Sequence, residues 1–135
     1  MAEALFNALV SDAGVPHEAR SAGVAALVGA PIAPHARTVL EETGVRVGEH
    51  RARQVDRGML EQAGLVLAMT PHQKATLNRL AGNPPGKIFT LPEYAQGVPD
   101  AVGIPDPYTM PISSYRASMR EISAYVDRVA EKLQE

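Results

Sequence analysis

Residues 65–73, LVLAMTPHQ, pass from one backbone preference to another with no spacer between them. LVLAM is an unbroken apolar run of five, too short for a helix and suited to a strand covered on both faces. TPHQ then reads as a helix start, with Thr70 as N-cap, Pro71 at the first helical position and Gln73 closing a reciprocal capping box. A doubly buried strand feeding straight into a helix belongs to an α/β arrangement, a parallel sheet layered between helices.

The rest of the chain extends that pattern. AEALFNALVSDAG places Leu5, Phe6, Leu9 and Val10 on one helical face, with Gly14 as the stop. HEARSAGV (17–24) reads as a strand running into a loop. Pro31 and Pro34 precede a short helix closed by Gly44, and Asp56 is placed to cap RGMLEQAG. The helix after Thr70 presents Leu77 and Leu80, NPPG turns the chain, and KIFTL (87–91) is the next strand. Pro92 to Pro111 reads as loop. Ile112, Tyr115, Met119, Ile122, Val126, Val129 and Leu133 then recur at helical spacing, which predicts a long amphipathic helix on a core. The expected fold is a three-layer α/β sandwich with a small parallel sheet, in one domain spanning residues 1–135. Three strands are few for five helical segments, and the pattern opens on a helix, as though its first strand were missing.

Charge and composition narrow the function. Thirteen basic against fifteen acidic residues give a net charge of −2, which argues against nucleic acid and anionic membrane as main partners. No apolar run reaches the length of a membrane span, and no leader pattern opens the chain, so a cytoplasmic location is expected. There is no cysteine, so no thiolate nucleophile, disulfide or cysteine metal site exists within these residues. His17, His35, His50 and His72 do not fall at ligand spacing, and no metal or cofactor is expected. HRAR (50–53), with Arg46 and Arg57 nearby, is a basic patch that reads as surface packing or as an anion contact.

IPDPY (104–108) holds the most specific chemical candidate. Pro105 and Pro107 restrict the backbone on both sides of Asp106. In layered α/β folds ligands bind beyond the carboxyl ends of the strands, where this loop opens. Asp106 therefore reads either as a pre-ordered general acid, with Tyr108 as a flat wall for an aromatic group, or as a solvated residue of a common Asp-Pro turn. Asp100 has similar turn features and ranks second.

Five segments in order and in register, MAEALF at the start, SAG at 21–23, HRARQ at 50–54, LVLAMT at 65–70 and IPDPY at 104–108, resemble the low-molecular-weight protein-tyrosine phosphatases. The resemblance runs over all 135 residues and is nearest to bacterial members, a group that includes protein-arginine phosphatases. It implies that Asp106 is the general acid, that Tyr108 and Leu27, within ALVG (26–29), border the substrate cleft, and that Ser21 and His50 brace a phosphate loop. The family's first strand, an interior one, and its C-x5-R loop are expected ahead of Met1, so the 135 residues alone are expected to be inactive. The implied partner is a phosphorylated protein, carrying phosphotyrosine or else phosphoarginine, with self-association through exposed strand edges a further expectation. A thiol-dependent arsenate reductase and a non-catalytic binding module are the alternatives. One departure is local: family members often carry glycine after the aromatic of the acid loop, where this chain has Thr109.

Overall fold

The computed structural model describes the chain except residues 14–16, 25–27, 100–101 and 135. Its elements run α1 (Ala2–Ala13), α2 (Pro34–Glu42), α3 (Arg57–Gln62), β1 (Val66–Ala68), α4 (Pro71–Ala81), β2 (Ile88–Thr90), α5 (Leu91–Gln96) and α6 (Ile112–Gln134). β1 and β2 pair in parallel, with Val66 opposite Ile88, Leu67 opposite Phe89 and Ala68 opposite Thr90.

Alternation along β1 builds the layers, because successive strand side chains point to opposite faces. Val66 and Ala68 join Leu60 of α3, Leu77 of α4 and Ile88. Leu67 and Met69 join Phe6 of α1, Leu91 and Ala95 of α5, and Ile122, Val126 and Val129 of α6. The result is an α/β fold with a small parallel sheet between two helical layers. α6 lies along it as its periodicity predicts, burying Tyr115, Met119, Ile122, Val126 and Val129.

The predicted caps form. Asp56 Oδ1 accepts the Met59 N–H at 2.8 Å. Thr70 Oγ1 accepts from Gln73 N, while Gln73 Oε1 accepts from Thr70 N and Met69 N. α2 ends with Gly44 at φ +80°, a left-handed position natural for glycine.

Two expectations fail. Residues 17–24 do not form a third strand; their one sheet-like feature is an isolated parallel bridge from Gly23 to Gln54. The backbone groups a strand would offer to a ladder are taken by side chains of α1. Asn7 donates to Ala19 O at 2.9 Å and accepts from Ala19 N at 2.7 Å, and Glu3 Oε1 accepts from Ser21 N at 3.0 Å. The stretch from Pro92 to Pro111 is not all loop either, since α5 occupies its start. Thr90 caps that helix by accepting the N–H of Glu93, whose carboxylate returns to Thr90 N, the same reciprocal box as at Thr70.

Candidate active site

The acid loop is fastened to the carboxyl end of β1. The Ile104 N–H donates to Met69 O at 2.7 Å, and the Ile104 side chain is only 2% exposed. Gly103 makes this approach sterically allowed. It has φ +76°, and a Cβ placed there would meet Met69 O at 2.5 Å and Thr70 Cα at 2.7 Å. A side chain cannot occupy that space, so glycine lets one backbone lie on another. The loop thus begins its excursion from the strand end where α/β folds place their ligands.

From there Asp106 projects into solvent. Its Oδ1 accepts the Tyr108 N–H at 3.0 Å, an Asx turn that fixes the carboxyl against its own loop. Tyr108 is 64% exposed beside it. A second turn follows, closed by Met110 N–H to Pro107 O at 2.9 Å. Its third residue, Thr109, sits at φ +69°, a left-handed conformation unusual for a β-branched side chain. Glycine would be unstrained at this position.

Ser21 and His50 are brought together by a residue the sequence reading missed. Glu3, in the first turn of α1, receives the Ser21 N–H on Oε1, and its Oε2 lies 3.3 Å from His50 Nδ1. Arg53 completes the cluster by donating to Ser21 O through Nε and Nη2, at 3.3 and 3.0 Å. Within HRAR, Arg53 packs onto backbone and Arg51 pairs with Glu49 at the surface. Asp106 and Tyr108 form one pair in the acid loop, Ser21 and His50 another across Glu3. Leu27 and Asp100 lie outside the described residues.

Tyr115, on the first turn of α6, connects the loop to the core. Its ring is buried with Ala36, Val39 and Met119, and meets His35 edge-on with centroids 5.5 Å apart. Burial raises the phenol above the usual tyrosine value of 10.0, and the nearby Asp106 carboxylate and Tyr108 phenol raise it further.

Asp106 past the end of β1 with Tyr108 beside it, and the Ser21–Glu3–His50 cluster at the start of α1, make up the candidate site. The chain belongs to the low molecular weight phosphotyrosine protein phosphatase family, whose model matches residues 1–135. It is 37% identical over 117 residues to a protein-arginine-phosphatase of Geobacillus stearothermophilus, covering 87% of this chain and 77% of that protein. The crystal structure of a low molecular weight protein tyrosine phosphatase from T. tengcongensis superimposes with a TM-score of 0.90 at 36% identity, over 97% of this chain and 88% of the other. The YwlE arginine phosphatase, solved as a cysteine-to-serine variant with its active-site serine phosphorylated, gives a TM-score of 0.92 at 31% identity over 99% and 86%.

Proposed function

We propose that these residues form the acid-bearing part of a protein phosphatase that works through a phosphocysteine intermediate, with phosphotyrosine as substrate. The fastening of the acid loop to β1 through Gly103 and Ile104 carries the reading, because it holds Asp106 at the strand end where a phosphoryl group would lie. Protonated Asp106 gives its proton to the leaving phenolic oxygen as the phosphorus–oxygen bond breaks and phosphorus bonds to sulfur. The carboxylate then takes a proton from the water that attacks phosphorus and releases phosphate and thiolate. Proton transfer of this kind contributes about 10²–10⁴-fold in rate. The oxyanion-binding amides and a bidentate arginine supply charge stabilisation. Tyr108 and Leu27 border the substrate, and Ser21 and His50, joined by Glu3, brace the phosphate loop from below.

The 135 residues contain no cysteine, so the thiolate that this mechanism uses is not among them. A phosphoarginine substrate is the second reading, favoured by the 37% identical relative that is a protein-arginine-phosphatase. There the proton goes to a guanidino nitrogen, a more basic leaving atom that depends more heavily on the acid.

Turnover of p-nitrophenyl phosphate, a phosphotyrosine peptide and a phosphoarginine peptide by this chain, with and without a family strand and C-x5-R loop joined ahead of Met1, tests the proposal. Activity only in the joined form, lost by at least tenfold in Asp106→Asn, is expected. An inactive joined form that is folded, or one indifferent to Asp106→Asn, refutes it, and the peptide preference decides between the substrates.

A further inference from the structure

A groove of about 380 Å³ opens where β2, α4, α5 and α6 meet, and it shares no lining residue with the candidate active site. Small-molecule sites typically run from about 300 to 1,000 Å³, so the space is of that order. Its walls are aromatic: Phe89 of β2 and Tyr94 of α5 form a tilted pair with ring centroids 5.4 Å apart, and both are partly exposed. Val98, 53% exposed, and Pro99 complete the apolar lining.

Two ammonium groups line the same groove, and they differ in charge balance. Lys74 Nζ lies 2.6 Å from Glu93 Oε1, so its charge is matched by a carboxylate. Lys132 Nζ, in the last turn of α6, donates to Tyr94 O and stands 5.1 Å from the centre of the Tyr94 ring. An ammonium has three donors, and among the described residues Lys132 has no second acceptor and no ion pair. Tyr94 O belongs to the last turn of α5, whose carbonyls lack partners within the helix, so the ammonium is fixed there as a cap. A Cβ built on Gly97 would come within 3.7 Å of the same Nζ, which puts the charge at the groove wall.

We infer that this groove is a binding site for a small aromatic monocarboxylate, its carboxylate on Lys132 and its ring against Tyr94 and Phe89. The inference goes beyond the phosphatase reading and does not depend on it. One unmatched positive charge calls for one negative charge, and Glu93 beside Lys74 opposes a second. A flat apolar body suits two partly exposed rings, which receive an aromatic group in offset or edge-on packing. Because Tyr94 O already holds the ammonium, a carboxylate gains a charge-assisted hydrogen bond without first ordering a free lysine.

The test titrates the 135-residue chain with 2-naphthoate, 2-naphthalenemethanol and acetate, followed by amide chemical shifts. 2-Naphthoate is expected to saturate with a Kd of about 1 mM or tighter, with the largest shifts at residues 89–98 and 132. The uncharged alcohol is expected to bind at least about fivefold more weakly, and acetate, which has the charge without the ring, more weakly still. Lys132→Met, checked for folding by far-UV circular dichroism, should weaken 2-naphthoate at least about fivefold and leave the alcohol within about twofold. Val98→Glu leaves the α5 cap untouched and sets a like charge at the groove, so it should weaken 2-naphthoate about threefold or more. Replacing the matched pair together, Lys74→Gln with Glu93→Gln, keeps the capping box and should hold 2-naphthoate within about threefold. The site is disproved by absence of saturable 2-naphthoate binding, by equal binding of acid and alcohol, or by largest shifts outside the groove. Affinity for 2-naphthoate unchanged in folded Lys132→Met, or unchanged in Val98→Glu, disproves it equally.

Discussion

Replacing Gly103 with alanine is the sharpest probe of how the acid loop is attached. Two costs combine at this position. The first is conformational: φ +76° is left-handed, which costs an alanine about 1–2 kcal/mol. The second is steric: the new methyl would lie 2.5 Å from Met69 O and 2.7 Å from Thr70 Cα, both backbone atoms that cannot swing aside. Forcing such a contact costs about 1–3 kcal/mol more and strains the Ile104 N–H to Met69 O bond. Gly44 is the control, since it has φ +80° but nothing within 4 Å of the place an alanine methyl would take. Gly44→Ala should therefore lose about 1–2 kcal/mol and Gly103→Ala about 2–5 kcal/mol, against a typical total of about 5–15 kcal/mol. Urea unfolding followed by far-UV circular dichroism reads both, with the denaturant slope unchanged. If the two variants fall within about 0.5 kcal/mol of each other, the close backbone approach is not what holds the loop.

Three further outcomes are expected. Thr109→Gly should stabilise the chain by about 0.5–1 kcal/mol in the same assay, because relief of a left-handed β-branched residue outweighs the entropy that glycine adds to the unfolded chain. Asn7→Ala should cost about 2 kcal/mol by removing both bonds to Ala19, and a loss below about 0.5 kcal/mol would mean that the segment after α1 is held by something else. The raised phenol of Tyr115 makes a definite alkaline prediction: the folded state keeps its proton more tightly, so the associated stability is present below pH 10.0 and is lost as pH rises through the folded value. Tyr115→Phe should flatten the alkaline limb of a plot of urea midpoint against pH, while an unchanged limb would contradict a raised phenol.

Local signals explain why some of this architecture was readable from the sequence. The Asp56 and Thr70 caps each act within three residues, so residue type and spacing are enough to place them. α5 carried the same kind of signal, Thr90 to Glu93 around Pro92, but the prolines farther along drew the whole stretch into a loop. Residues 17–24 have an extended composition, yet a strand exists only where a neighbour accepts its backbone bonds, and here Asn7 and Glu3 take them. Pairing choices of that kind are set across the fold and leave little trace in a local window. The Glu3 cluster was hidden for the same reason, since Glu3 meets residues far from it in sequence. In contrast, the oddity at Thr109 was visible as a departure from glycine, and its backbone angle supplies the cause.

The loop bearing Asp106 is tied down at both ends, to the sheet at Ile104 and to α6 at Pro111. Between those moorings Pro105 and Pro107 remove two of the soft torsions, leaving a short hoop that can rock but has little slack to travel. Deuterium should therefore enter the Ile104 amide only when the sheet itself opens, whereas the tip a few residues on should exchange without waiting for the core.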